Sequence, residues 1–220
     1  MLYSMECLMA KMLILTGPQG AGNHLWSKIF SLHPEVYGWK SLLDNYWEAH
    51  RFAEPFREHW PDHKLLESFN WNQSEYFFTS ISLPLGIVGS DINPIWVPDV
   101  CGFAATVLGQ GVEVEIVVCG RDQTILNNQQ TRIRTQSTLP MFMEQLPKLW
   151  NPTFLSYELL YLYKQDYLKS LNLNIPIAWN DPAINQILED DANTKYIHDI
   201  DHNALDNGNK FGTTFKKRPT

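Results

Sequence analysis

The stretch "MLILTGPQGAGNHLWSKIF", residues 12–30, decides the fold. It opens with a mostly apolar run that ends at a glycine, as a buried parallel strand does. A glycine-rich turn follows, and then apolar side chains recur at helical spacing until Pro34, which predicts a helix over residues 23–32. Strand, glycine-rich turn and helix in this order are the context of a phosphate-binding loop.

The loop keeps the backbone features of a phosphate-binding loop but lacks its two reactive side chains. Gly17, Gly20 and Gly22 allow the close backbone approach that holds a phosphate. Asn23 stands where the phosphate-binding lysine is expected, and His24 where a hydroxyl would hold Mg²⁺. The loop is therefore either a degenerate nucleotide site or an intact site for a different nucleotide.

Composition restricts the class of protein. The 220 residues carry a formal net charge of −7, with 44% hydrophobic and 19% charged residues, which predicts one globular domain and argues against a general nucleic-acid binder. The three cysteines form no CxxC pair, so neither a disulfide framework nor a zinc site is expected. With no secretory signal and no membrane-length apolar run, the expected location is cytoplasmic, without a membrane partner.

Strand and helix patterns alternate along the rest of the chain. This alternation predicts the α/β class, with a P-loop-type parallel sheet and helices on both faces. Residues 1–11 are expected to be a disordered leader, residues 12–220 a single domain, and residues 180–220 an irregular tail or lid. The predicted strands are 12–16, 36–38, 85–88, 114–118 and 153–156; the predicted helices are 23–32, 100–108, 123–134 and 157–171, with further helices in 41–69 broken at Pro55 and Pro61.

Two known families begin in a similar way. "GPQGAG" resembles the opening of nucleoside monophosphate kinases, whose loop continues with lysine. "GNHLWSKIFSLHPEVYGW" resembles the sulfotransferases that use 3′-phosphoadenosine 5′-phosphosulfate (PAPS). Three later segments also resemble that family and follow in its order: "VGSDINPIWVPDV", "VEIVVCGRDQTILNNQQ" and "FLSYELLYLYKQDYLKSLNLNIP". The resemblance extends over residues 12–176 and identifies the chain as a divergent sulfotransferase-like protein.

The resemblance implies how the donor would be bound. It assigns the 5′-phosphosulfate to the glycine loop and the 3′-phosphate to an arginine after a strand and a polar residue eight positions later. Sulfuryl transfer needs no Mg²⁺, so the loss of the metal-binding hydroxyl is tolerable, and no metal is expected. The donor-binding residues predicted in this way are Gly20, Ala21, Gly22, Asn23, His24, Leu25, Arg121 and Gln129.

The chain departs from the family pattern at three positions. Gly20 replaces a basic residue of the loop, Gln123 stands in place of a proline, and Gln129 replaces a serine. The missing basic residue makes His24 a candidate for the same role beside the leaving phosphate, because a histidine can be protonated there. A plain tight turn and a solvent-exposed His24 are the alternative interpretation of the same residues.

A transferase also needs a general base, for which histidine and carboxylate side chains are the usual choice. His50 is the preferred candidate because Tyr46 and Trp47 nearby are suited to the wall of an acceptor pocket. Asp91, predicted at the end of the third strand, is another. The remaining candidates, for which surface or capping roles are more common, are Glu48, His59 and His63.

The predicted function is transfer of a sulfuryl group from PAPS to a hydroxyl or amine of a small-molecule or glycan acceptor. The alternatives are a nucleoside monophosphate kinase-like protein and a non-catalytic nucleotide-binding or scaffold protein on a degenerate P-loop fold. "HDIDH", residues 198–202, has metal-binding side chains, but a polar loop is the preferred interpretation. The sequence identifies neither the acceptor nor the oligomeric state.

Overall fold

The computed structural model describes residues 9–134 and 136–189. Over these residues the chain forms a five-stranded sheet in which every neighbouring pair of strands is parallel. The strands are β1 (Lys11–Gly17), β2 (Val36–Tyr37), β3 (Tyr76–Ser82), β4 (Glu113–Gly120) and β5 (Thr153–Ser156). Their order across the sheet is β2-β3-β1-β4-β5, which confirms the predicted α/β class with a parallel sheet.

Helices connect these strands. The helices are α1 (Asn23–Leu32), α2 (His50–Ala53), α3 (Val100–Gly109), α4 (Gln123–Arg134), α5 (Leu139–Gln145), α6 (Tyr157–Ser170) and α7 (Ala183–Glu189). The predicted bounds of α1 and α4 are confirmed, and those of α3 and α6 differ by one residue. Helix α1 ends where it was expected to, because His33 precedes a proline and takes an extended backbone.

Apolar side chains cover both faces of the sheet. Alternate residues of β1 belong to different clusters: Leu13 and Leu15 to one, Met12 and Ile14 to the other. Successive side chains of a strand point to opposite faces, so the two clusters lie on opposite sides. Helices α1, α6 and α7 contribute to the first cluster, whereas α3 and the aromatic segment after β2 contribute to the second. Helices therefore cover both faces, as predicted.

The central strand β1 lies at a point where the connections diverge. From β1 the chain runs through α1 to the edge strand β2, on one side, whereas from β4 it runs to β5 on the other side. In open parallel sheets such a divergence leaves a crevice beyond the carboxyl ends of the two strands, and ligands bind there. The glycine loop leaves β1 at this crevice.

The prediction of a strand at residues 85–88 is wrong. The third strand is β3, and the following chain makes isolated bridges from Leu85 to Trp96 and from Ile87 to Pro94. Strand β3 escapes a search for apolar runs because Thr79, Ser80 and Ser82 interrupt it. These three side chains are nevertheless buried, since each is hydrogen-bonded to another side chain.

The aromatic segment between β2 and β3 contains less helix than predicted. Its regular parts are short: the 3₁₀ turns Lys40–Asp44, His63–Ser68 and Trp71–Gln73, and the single turn of α2. Buried aromatic rings around Phe56 fix its path in place of helical hydrogen bonds. At the two ends, β1 begins at Lys11, inside the predicted leader, and α7 is a helix within the predicted tail. Residues 190–220 of that tail lie outside the described residues.

Candidate functional site

The glycine loop joins the end of β1 directly to the start of α1. Gly20 and Gly22 have φ angles of 87° and 100°, which residues with a side chain rarely adopt. Gly22 is the N-cap of α1, and no side chain caps that helix end. The first N–H groups of a helix have no partner within it, so this end presents backbone donors and a positive dipole to an anion.

Replacing Gly22 by alanine tests this geometry. A Cβ atom at Gly22 would lie 2.9 Å from Cδ2 of Tyr157, in addition to the cost of the positive φ angle. We expect Gly22→Ala to lower the free energy of unfolding by about 2–3 kcal/mol in urea denaturation. Gly109→Ala is the matched control, because nothing lies within 4 Å of its Cβ position in α3. An equal loss of stability in the two variants would contradict the argument.

Arg121 lies against the glycine loop. It follows β4, and its Nη1 donates to the carbonyl oxygen of Gly20 at 3.1 Å and to Oε1 of Gln129 at 2.7 Å. Its guanidinium also lies 4.6 Å from the ring centre of Tyr157. The two residues that were predicted to bind one phosphate are thus hydrogen-bonded to each other and adjacent to the loop.

Asn23 anchors the loop to the sheet. Its Nδ2 donates to Oγ of Ser82 at 2.7 Å, and its Oδ1 accepts from the thiol of Cys119 at 2.5 Å. Burial raises the pKa of that thiol, which keeps it protonated and able to donate. Because the Asn23 side chain is turned into the fold, its backbone N–H is the donor that it offers at the helix end. Ala21 and Leu25 are also buried, so their part in a site is likewise limited to the backbone.

His24 lies between the loop and the aromatic segment. Its Nε2 is 2.5 Å from the carbonyl oxygen of Glu48, and its ring is stacked on Trp47. The centre of the His50 ring lies 4.7 Å away, in an edge-on arrangement. The structure therefore brings together His24 and His50, which were predicted as catalytic residues on separate grounds.

A pocket of about 450 Å³ opens at the carboxyl end of β3. His50 both lines this pocket and contacts His24, which does not line it. Its polar lining includes His50, Glu54 and Ser80, and its apolar walls include Trp60 and Trp96. This volume is within the usual range for small-molecule sites. Asp91 lines the same pocket as His50, although it lies in the loop beyond β3 and not at a strand end as predicted.

His50 is held at the end of a chain of hydroxyl groups. Its Nε2 lies 3.2 Å from Oγ of Ser80, which is 2.8 Å from Oγ of Ser27. Ser27 in turn donates to the carbonyl oxygen of Asn23 at 2.7 Å. Burial, with a smaller contribution from His24, holds the pKa of His50 well below its usual value. The imidazole is therefore neutral at neutral pH, as a general base must be.

Glu54 is a buried polar residue of the pocket that sequence reasoning missed. Its Oε1 is 2.7 Å from Oγ1 of Thr79, and its Oε2 accepts from the backbone N–H of Phe56 at 2.8 Å. Burial raises the pKa of this carboxyl to about 8, so it is mostly neutral at pH 7. The signal in "AEPF" was weak, because a glutamate before a proline is usually a surface residue.

The other candidate bases have structural partners. Glu48 accepts hydrogen bonds from Trp39, Ser41 and Asn45. His59 and His63 pack against phenylalanine rings of the second apolar cluster. Among the candidates in the aromatic segment, His50 therefore remains the one that lines the pocket.

Comparison of the chain with protein-family models, with curated proteins and with solved structures found no match. Within residues 9–134 and 136–189, no helix has the length and apolar character needed to cross a membrane. The same part of the chain contains no cluster of three histidine, cysteine or acidic side chains suited to a metal ion. The "HDIDH" segment lies outside it.

Proposed function

We propose that this chain is a P-loop-type, PAPS-dependent sulfotransferase that sulfates a hydroxyl or amine of a small-molecule or glycan acceptor. One observation carries the proposal: the glycine loop and the pocket open at the same edge of the sheet, and the contact between His24 and His50 joins them. A group transfer requires this arrangement, because donor and acceptor must meet beside a base.

The donor side fits an anion that is bound without metal. Positive-φ glycines and an uncapped helix end supply backbone donors for the 5′-phosphosulfate. Arg121 and Gln129 are suited to the 3′-phosphate, since they share a hydrogen bond next to Gly20. When bound, the donor supplies the sulfuryl group, and the chain supplies orientation and positive potential around its phosphates.

On the acceptor side, the hydrogen bonds of His50 indicate which of its ring nitrogens acts as the general base. The Ser27 hydroxyl lies near two acceptors but has one proton, and the carbonyl oxygen of Asn23 at 2.7 Å can only accept. We therefore assign the Ser80 hydroxyl as the donor to Ser27 and as the acceptor from Nε2–H of His50. This assignment leaves Nδ1 as the basic nitrogen. The acceptor oxygen forms a bond to sulfur, the bond from sulfur to the leaving phosphate oxygen breaks, and the acceptor proton passes to Nδ1.

Calorimetry with 3′-phosphoadenosine 5′-phosphate (PAP) tests the donor site. We expect PAP to bind about 10- to 100-fold more tightly than AMP, because a charge-assisted hydrogen bond to the 3′-phosphate contributes roughly 1.5–3 kcal/mol. Removing Mg²⁺ with a chelator should leave both affinities unchanged. Equal binding of PAP and AMP would exclude the 3′-phosphate site, and Mg²⁺-dependent ATP turnover would favour the kinase-like alternative.

A non-catalytic nucleotide-binding protein is the second candidate, and Asn23 favours it. This residue replaces the lysine of the loop and uses its side chain to hold the loop to β3 and β4. A loop without lysine retains the shape for binding but has less positive charge for the leaving phosphate. Binding of PAP without release of labelled sulfate from PAPS, with or without a panel of phenols, alcohols and sugars, would support this candidate over the enzyme.

A further inference from the structure

The pocket beside His50 carries two arginines as well as apolar walls. Arg51 and Arg57 both line it, on the same segment as His50. Nη1 of Arg51 donates to the carbonyl oxygen of Ile92 at 3.0 Å, which holds this guanidinium at the pocket. The pocket thus carries two guanidinium groups, although the formal net charge of the chain is −7.

Carboxylates offset the charge of these arginines only in part, although Glu54 and Asp91 line the same pocket. In the described residues, the one ion pair is between Arg57 and Glu58, at 3.4 Å, and its side chains are 39% and 72% exposed. Such an exposed pair between neighbours contributes little. The carboxyl of Glu54 is directed at Thr79 and at the backbone of Phe56.

The apolar part of the pocket is built before any ligand arrives. Trp60 is stacked on Phe103 with ring centres 4.0 Å apart, and its Nε1 donates to Oγ1 of Thr79 at 3.1 Å. Trp96 lines the same pocket from the loop after β3, where its backbone pairs with Leu85. Ile92 at the rim is 87% exposed, so the apolar surface continues outward from the pocket.

We propose that this pocket binds an acceptor that combines an apolar body with an anionic group, the body lying between Trp60 and Trp96 and the anion meeting Arg51 and Arg57. The inference rests on the proposed function for the part played by His50, which receives the hydroxyl or amine of the same molecule. Carboxylate, sulfate and phosphate all suit the arginines, because a guanidinium binds each of them in bidentate geometry. A neutral glycan would offer these guanidinium groups no anion to bind in this way.

A pair of fluorescent probes tests the ligand class on the full chain. 8-Anilinonaphthalene-1-sulfonate and N-phenyl-1-naphthylamine share an apolar skeleton, and only the first carries a sulfonate. We expect the sulfonate to bind at least about 10-fold more tightly, and Arg57→Gln to remove that preference. Trp96→Ala should weaken both probes alike, whereas Lys148→Gln, which changes an exposed cation outside the lining of the pocket, should affect neither.

The probe experiment tests the pocket independently of the donor site. Equal binding of the two probes, or an unchanged preference in Arg57→Gln, would overturn the inference. Circular dichroism of each variant confirms that the fold is retained, which the exposure of Arg57 makes the expected result. Probe preference without PAP binding would remove the sulfotransferase proposal and leave an anion-selective pocket. PAP binding without probe preference would leave the donor site and remove the anion selectivity of the pocket.

Discussion

Arg121→Ala is expected to weaken PAP binding by about 10- to 100-fold and to leave AMP binding unchanged, so that the two affinities become equal. The reason is the position of Arg121 after β4, where it reaches both the glycine loop and Gln129. If these residues bind the 3′-phosphate, its advantage over a free hydroxyl disappears with the guanidinium. Calorimetry of the wild type and the variant with both nucleotides measures the four affinities.

The comparison of PAP with AMP distinguishes a ligand contact of Arg121 from a structural role. Arg121 is 7% exposed and contacts the Tyr157 ring, so its loss also lowers stability. A loop that was merely distorted would lose PAP and AMP binding together, whereas loss of a 3′-phosphate contact changes PAP binding alone. Arg121→Lys keeps the charge and should retain an intermediate preference. Unchanged PAP affinity in the alanine variant would refute the assignment.

Glu54→Gln is expected to stabilise the protein at alkaline pH by several kcal/mol. Burial raises the pKa of Glu54 from an ordinary value of 4.5 to about 8, so the folded state holds a proton that the unfolded state has lost. Stability from this group is fully present below pH 4.5 and falls as the pH rises to 8, by about 1.4 kcal/mol per pH unit and on the order of 5 kcal/mol in total. Glutamine has the shape of the protonated acid and cannot ionise, and its carbonyl oxygen can keep the hydrogen bond from the backbone N–H of Phe56.

The free energy of unfolding at acid pH gives an independent check on the buried groups of the pocket. Burial lowers the pKa of His50 in the folded state. The contribution of His50 to the free energy of unfolding is therefore fully present above its unfolded pKa of about 6.5 and is lost as the pH falls. Between pH 4.5 and 6.5 the two contributions oppose each other in the wild type, and in Glu54→Gln the loss from His50 should become visible. Urea denaturation from pH 5 to 9 measures both ranges, with the exposed Glu67→Gln as control. Parallel curves for wild type and Glu54→Gln would contradict the buried neutral acid.

The sequence predicted the central part of the fold to within a residue or two because its signals there are local. An apolar run, positive-φ glycines and Pro34 define β1, the loop and α1 without help from distant residues. Strand β4 is as easily recognised from its apolar run. Strand β3 is not, because the polar side chains that interrupt it are buried by partners such as Glu54 and Asn23 that lie far away in sequence.

The same distinction applies to the candidate site. The resemblance to the sulfotransferases, with the position of Arg121 after a strand, singled out Arg121 and Gln129, and the structure brings them together. The chain from Ser27 through Ser80 to His50 was not predictable, since it joins α1, β3 and α2 through hydroxyl groups that look like ordinary helix and strand residues. Polar groups that must be satisfied inside a core are recognisable only when their partners are known.

The hydrogen bonds of Asn23 have a consequence for the engineering of the loop. An ammonium group at this position would enter the space between Ser82 and Cys119, where it would be buried beside a neutral thiol. Introducing a lysine at position 23 would therefore require accompanying changes at the ends of β3 and β4 and not one substitution.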